Sequence, residues 1–130
     1  MQKRKLGKTH LAVTEMGFGG ASIGNLYEAA KELEAAKTLQ ASWDLGIRYF
    51  DTAPEYGHGL SERRLGDFLR LQNREEVILS TKVGDILYAR HDLMPKENKF
   101  IHKLPFHLRF DYSYDGVMRA FEDSFCLLYT

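Results

Sequence analysis

Ile47-Arg48-Tyr49-Phe50-Asp51 and Val77-Ile78-Leu79-Ser80-Thr81-Lys82 decide the fold. Each is a short apolar, β-branched or aromatic run that closes on a charged residue, and Asp51 and Lys82 stand 31 positions apart. Between them lie a Pro/Gly loop carrying Tyr56 and one amphipathic segment. Two strand-like runs joined in this way read as consecutive parallel strands of a βαβ unit. Neighbouring parallel strands lie about 4.8 Å apart, so an acid and an amine at matching strand ends come into contact. The Tyr56 phenol folds back over them from the intervening loop. An acid, an amine and a phenol gathered in this way form a proton-transfer device.

Working outward, the chain alternates β and α. Lys3 to Leu6, a Gly7-Lys8 turn and Leu11 to Val13 predict a small leading hairpin. Met16 to Gly20 predicts a short strand running into a Gly-rich loop. Leu33, Ala36, Leu39 and Trp43 follow helical spacing from about Ala30 to Asp44, and Gly46 is placed to stop that helix. The solvated face of the helix takes Lys31, Glu32, Glu34 and Lys37, and Trp43 is its packing anchor onto the sheet. Ser61 predicts the N-cap of a second helix with Leu65, Phe68 and Leu69 on one face, and the next strand ends at Lys82. Residues 84–112 predict a long loop, of a length that is usually functional or disordered. Tyr88, Pro95, Phe100, Pro105, Phe106 and Phe110 give it enough apolar surface to pack as a lid. A third helix starts near Ser113, with Val117, Phe121 and Phe125 on one face.

Length and composition narrow the classes. The 130 residues fit one domain, and the 44% hydrophobic share is that of a globular chain. A net charge of zero without a basic stripe excludes a nucleic-acid reading. No apolar run approaches the roughly 18 residues of a spanning helix, and no apolar h-region follows the basic Met1-Gln-Lys-Arg-Lys start, so no membrane or secretory role is expected. The single cysteine, Cys126, fits a reducing, cytoplasmic location and reads as a half-buried apolar residue. His10, His58, His91, His102 and His107 fall in loops or the hairpin. His102 and His107 read as solvated, so no metal site is expected.

Three βα units with polar groups at strand C-terminal ends predict part of a (β/α)8 barrel, an architecture of about 250 residues whose active sites lie at those ends. An open doubly wound sheet is the competitor. Its G-x-G-x-x-G fingerprint is not met, because Ser22 stands where a count from Gly17 needs the third glycine. Gly17, Gly19, Gly20 and Gly24 are read instead as a tight βα turn. A partial barrel leaves sheet edges unpaired, so poor stability and self-association through those edges are expected.

Gly46-Ile-Arg-Tyr-Phe-Asp-Thr-Ala-Pro-Glu-Tyr-Gly57, Ser61-Glu62 with Leu65-Gly66, and Leu79-Ser-Thr-Lys82-Val-Gly84 resemble the N-terminal third of the aldo-keto reductase superfamily, in order and spacing. Phe110 to Ser124 further resembles the branch that includes D-threo-aldose (L-fucose) 1-dehydrogenases and pyridoxal 4-dehydrogenases. The resemblance implies that residues 1–130 are the N-terminal portion of a (β/α)8 barrel, an incomplete domain truncated after its third βα unit. Phe125-Cys-Leu-Leu-Tyr-Thr130 departs from the family pattern and reads as an abrupt end.

By the same resemblance, the chain derives from an NAD- or NADP-dependent oxidoreductase that interconverts carbonyls and alcohols, with aldehyde or aldose substrates. Tyr56 would be the acid/base, Lys82 would tune it and Asp51 would pair with Lys82, making these three the catalytic set. Gly20, Ala21 and Asp51 would meet the nicotinamide end of the cofactor. A tyrosine has an ordinary pKa near 10, and an adjacent ammonium favours its phenolate. The family also uses a histidine at the end of a fourth strand, and none of the five histidines stands in that context. Activity of the chain by itself is therefore not expected. Two other readings stay open: a non-catalytic fragment or interaction module, and a lyase forming a Schiff base at Lys82.

Overall fold

The computed structural model describes residues 1–89 and 99–129. The leading hairpin pairs β1 (Lys3–Lys5) with β2 (Ala12–Thr14) in antiparallel register, Arg4 opposite Val13. The central sheet is parallel, in the order β3 (Phe18–Gly19), β4 (Tyr49–Asp51), β5 (Ile78–Ser80). Its register sets Gly19 beside Asp51 and Asp51 beside Ser80. The third strand therefore stops two residues before the expected Lys82, which lies just past its end. Strand alternation puts Phe50 and Thr81 on the helix side, and Tyr49, Asp51, Ser80 and Lys82 on the other.

Helix α1 (Glu32–Asp44) returns from β3 to β4, and the chain leaves it through Gly46 at φ +88°. Its buried stripe is Ala35, Leu39 and Ser42, whereas Leu33 and Ala36 face outward. This corrects the expected face by a partial turn. The cause is Arg64 of α2, which donates to the Ala30 carbonyl and to Glu32 and so fixes the rotation of the helix start. Glu32 is thus an ion-pair partner of Arg63 and Arg64 and not simply a solvated residue. Trp43 packs edge-on against Phe68 of α2, with the Arg48 guanidinium 3.6 Å from its ring centre.

Helix α2 (Leu60–Leu69) is capped by Gly59, not by Ser61, which is buried inside its first turn. The helix is covered by α1, the Ser22–Gly24 turn and α3, so Leu60, Leu65, Phe68 and Leu69 are all buried. Helix α3 (Tyr114–Tyr129) starts as expected: the Gly116 amide donates to Ser113 Oγ (3.1 Å). Its packed side is Ala120, Ser124 and Leu128. Phe121 and Phe125 stack on each other and stay half exposed, which overturns the face read from apolar spacing. The core joins Ile23, Leu39, Ile47, Phe50, Leu65, Leu69, Val77 and Leu128 between sheet and helices.

The long loop is not structureless. Its two ends pair as an antiparallel hairpin of β6 (Asp85–Tyr88) and β7 (His107–Phe110), with Leu87 opposite Leu108. His107 accordingly lies on a strand. Of the expected lid residues, Phe100 is buried and Phe110 is exposed, while Pro95, like His91, lies outside the described residues.

Candidate active site

Asp51 closes β4, and its carboxylate is gripped from β5. Ser80 Oγ donates to Oδ1 (2.6 Å) and Lys82 Nζ to Oδ2 (2.8 Å). The ammonium also donates to the Thr52 carbonyl (2.8 Å) and lies 4.9 Å from the centre of the Tyr56 ring. Tyr49 hydroxyl and Ser80 Oγ stand 3.1 Å apart, so the polar row runs Tyr49, Ser80, Asp51, Lys82 along one side of the sheet. The structure thus brings Asp51, Tyr56 and Lys82 together.

The electrostatics follow from those contacts. Burial works against charge on Asp51, but hydrogen bonds from Lys82 and Ser80 outweigh it and hold the carboxyl below its ordinary value. Burial likewise opposes the Lys82 ammonium, and the Asp51 carboxylate with the nearby Tyr56 phenol raises its pKa above the ordinary lysine value. The side chains remain partly open, at 37% for Asp51 and 49% for Lys82.

Tyr56 sits in the turn before α2. Its ring packs against Phe100 at 5.7 Å between centres. Phe100 is held by a bridge to Leu26, flanked by Tyr27 N–H to Lys99 O (2.8 Å) and Ile101 N–H to Asn25 O (3.1 Å). The loop after β3 and the segment before β7 are therefore stitched together beside the phenol. Sequence reading counted Phe100 only among apolar loop residues, and no local signal distinguishes it. Ser80 was legible: alternation puts it on the Lys82 side, two residues earlier.

Gly20 and Ala21, expected at the cofactor, lie at the end of β3. Gly20 N–H donates to the Asp51 carbonyl (2.7 Å), and its own carbonyl accepts from Ser61 Oγ (2.7 Å). A Cβ at Gly20 would stand 2.6 Å from Ser61 Oγ, so glycine is required here by close packing. Ala21 is half-buried and opens a 3-10 turn, Ser22–Gly24. The Asp51–Lys82 corner beside the Gly20 loop is partly open to solvent, as the reactive end of a nicotinamide would require. The start of α1 offers no open bed for its pyrophosphate, because the Glu34 carboxylate accepts from Lys31 N–H there (3.1 Å). Nor do the described residues include a His, Cys, Asp and Glu group able to hold a metal ion, or a helix long and apolar enough to cross a membrane.

A carboxylate and an ammonium at the ends of parallel strands thus meet a phenol from the intervening turn, on a partial β/α barrel. The sequence profile of the aldo/keto reductase family matches residues 15–130, and the chain belongs to that family. It is 46% identical to pyridoxal 4-dehydrogenase of Microbacterium luteolum, over 95% of this chain and 38% of that protein. It is 42% identical to D-threo-aldose 1-dehydrogenase of a Pseudomonas species, over 88% of this chain and 36% of that protein. A holo-form aldo-keto reductase of Bacillus halodurans superposes on all of the chain with a TM-score of 0.73 at 34% identity, which accounts for 37% of that structure. The chain thus spans under two fifths of the length of these relatives, and its described residues form part of a barrel with no closed sheet among them. The family consists of oxidoreductases acting on small carbonyl substrates, generally with NAD(P)(H).

Proposed function

We propose that this chain carries the proton-transfer part of an NAD(P)-dependent oxidoreductase interconverting a carbonyl and an alcohol, with aldoses or aldehydes such as pyridoxal as the substrate class. The single observation that supports it is the Lys82 ammonium, fixed between Asp51 Oδ2 and the Thr52 carbonyl at 2.8 Å each and 4.9 Å from the Tyr56 ring centre. The nicotinamide, resting near Gly20, Ala21 and Asp51, would supply or accept the hydride, which no side chain can do. Tyr56 gives its phenolic proton to the carbonyl oxygen in reduction and takes it back in oxidation. The Lys82 ammonium beside the ring stabilises the negative charge that develops on the phenol oxygen, and Asp51 holds Lys82 in place.

The Schiff-base reading is disfavoured. A lysine nucleophile needs its amine uncharged, and Lys82 is pushed the other way by Asp51. Self-association is the second reading that an observation favours: β3 and β5 are sheet edges, and Phe121 and Phe125 of α3 are half exposed. Sedimentation velocity checks it, and a monomer at all concentrations refutes it. A cytoplasmic location fits the single cysteine and awaits a localisation experiment in cells.

The test of function is nicotinamide absorbance during incubation with pyridoxal, an aldose or the corresponding alcohol, for the wild type, Tyr56→Phe and Lys82→Met. Turnover lost in both variants supports the proposal. Turnover unchanged in Tyr56→Phe refutes the assignment. No turnover in the wild type leaves the chain as a non-catalytic member of its family.

A further inference from the structure

The first turn of α2 reaches the site from behind the sheet. Ser61 and Glu62 are both buried there, Glu62 at 1% exposure, in a turn whose charged residues ordinarily face water. Ser61 Oγ donates to the Gly20 carbonyl (2.7 Å) and bonds Thr52 Oγ1 (2.9 Å). Glu62 Oε1 accepts from Thr81 Oγ1 (2.7 Å). Thr52 supplies the carbonyl that receives the Lys82 ammonium (2.8 Å), and Thr81 immediately precedes Lys82. Two adjacent side chains therefore hold the chain on both sides of one ammonium.

We propose that Ser61 and Glu62 form a positioning clasp for Lys82, Glu62 acting through Thr81 and Ser61 acting through Thr52 and Gly20. The proposal rests on the proton-transfer reading of the site and adds two residues that touch neither substrate nor cofactor. A carboxyl buried this deeply is unfavourable unless its bonds are used. Helix capping does not use it, since the Gly59 amide that it could cap donates instead to the Pro54 carbonyl (2.8 Å). Burial pushes the Glu62 carboxyl up, opposed by the Thr81 hydroxyl. Ser124 of α3 approaches the same carboxyl, also lowering it, but its Oγ is out of hydrogen-bonding geometry. Thr81 is thus the bond that ties Glu62 to the segment after β5 that carries Lys82. Without the clasp, the ammonium drifts from Asp51 and loses the interactions that raise its pKa.

Competitive acylation with acetic anhydride over a pH series, read lysine by lysine by mass spectrometry, measures the Lys82 amine with exposed Lys5 as internal standard. Thr81→Val lowers the apparent Lys82 pKa by about half a unit, so acylation below that pKa rises about threefold. Thr81→Ser, which keeps the hydroxyl, stays at the wild-type value, and Lys5 does not change. A Thr81→Val chain that keeps its near-UV circular dichroism but leaves the Lys82 profile unchanged overturns the clasp. If that variant loses its tertiary signal, Ser61→Ala decides through the Thr52 arm: a rise of the same direction supports the proposal and an unchanged profile overturns it. No cofactor or carbonyl takes part, so a chain without turnover can pass this test and an active one can fail it.

Discussion

Arg64→Met should cost this chain about 3 kcal/mol, and the structure supplies the reasons. The Arg64 side chain is 7% exposed. It donates to the Ile23 carbonyl (2.7 Å), the Ala30 carbonyl (3.0 Å) and Asn25 Oδ1 (3.0 Å), besides both oxygens of Glu32. Methionine fills much of the volume but donates nothing. The Ile23 and Ala30 carbonyls lose this donor at about 1–3 kcal/mol each where water does not replace it. Asn25 Oδ1 keeps the Ala30 amide (3.1 Å), so its loss is partial. Glu32 is 64% exposed and is rehydrated when the pair breaks, so its ion pair adds about 1 kcal/mol at most.

Urea unfolding followed by Trp43 fluorescence reads the sum. With a slope of about 2 kcal/mol/M, the midpoint falls by about 1.5 M. Hydrogen exchange locates it: the Tyr27 and Ile101 amides, which stitch the β3 loop to the Phe100 segment, become less protected before the core strands do. Loosening that stitch releases Phe100 from Tyr56, so the change reaches the site without touching it. A midpoint within about 0.3 M of wild type, with Tyr27 and Ile101 unchanged, would refute the reasoning. It would mean that water serves these acceptors as well as Arg64 does.

Three further outcomes follow from burial and charge. The raised Glu62 pKa means that the folded chain holds this proton more tightly than the unfolded one. The contribution is full below the ordinary value of 4.5 and is lost as pH rises through the folded pKa. Glu62→Gln should therefore gain on the wild type as pH rises from 4.5, and urea midpoints at acid and neutral pH check it. Asp51 has the opposite sign: its depressed pKa contributes stability above the ordinary 3.8 that is lost as pH falls through the folded value. Asp51→Asn should flatten that acid limb of a stability-against-pH curve, and an identical limb would count against the Lys82 pair. The His58 imidazole is held down by burial, against the pull of the Phe106 carbonyl, and so should titrate below 6.5 in a proton–nitrogen spectrum. Titration at or above that value would show that burial does not hold the imidazole down.

The order of elements, the parallel pairing of the strands ending near Asp51 and Lys82, and the meeting of those residues with Tyr56 were legible in the residues alone. These are short-range consequences of alternation, turn chemistry and the 31-residue spacing, and a family resemblance in the same residues led to the same place. The start of the third helix near Ser113 was also legible, because a helix start depends on a few consecutive residues. Tertiary structure decided what depends on partners far along the chain. Arg64 sets the rotation of α1 by gripping Ala30 and Glu32, which apolar spacing within the helix cannot reveal. Ser61, a good cap by its chemistry, is buried because Gly20 and Thr52 need its hydroxyl more than the helix start does. The hairpin of β6 and β7 and the seating of Phe100 on Tyr56 join segments separated by a long connection. Their register is set by cross-strand contacts that no local window contains.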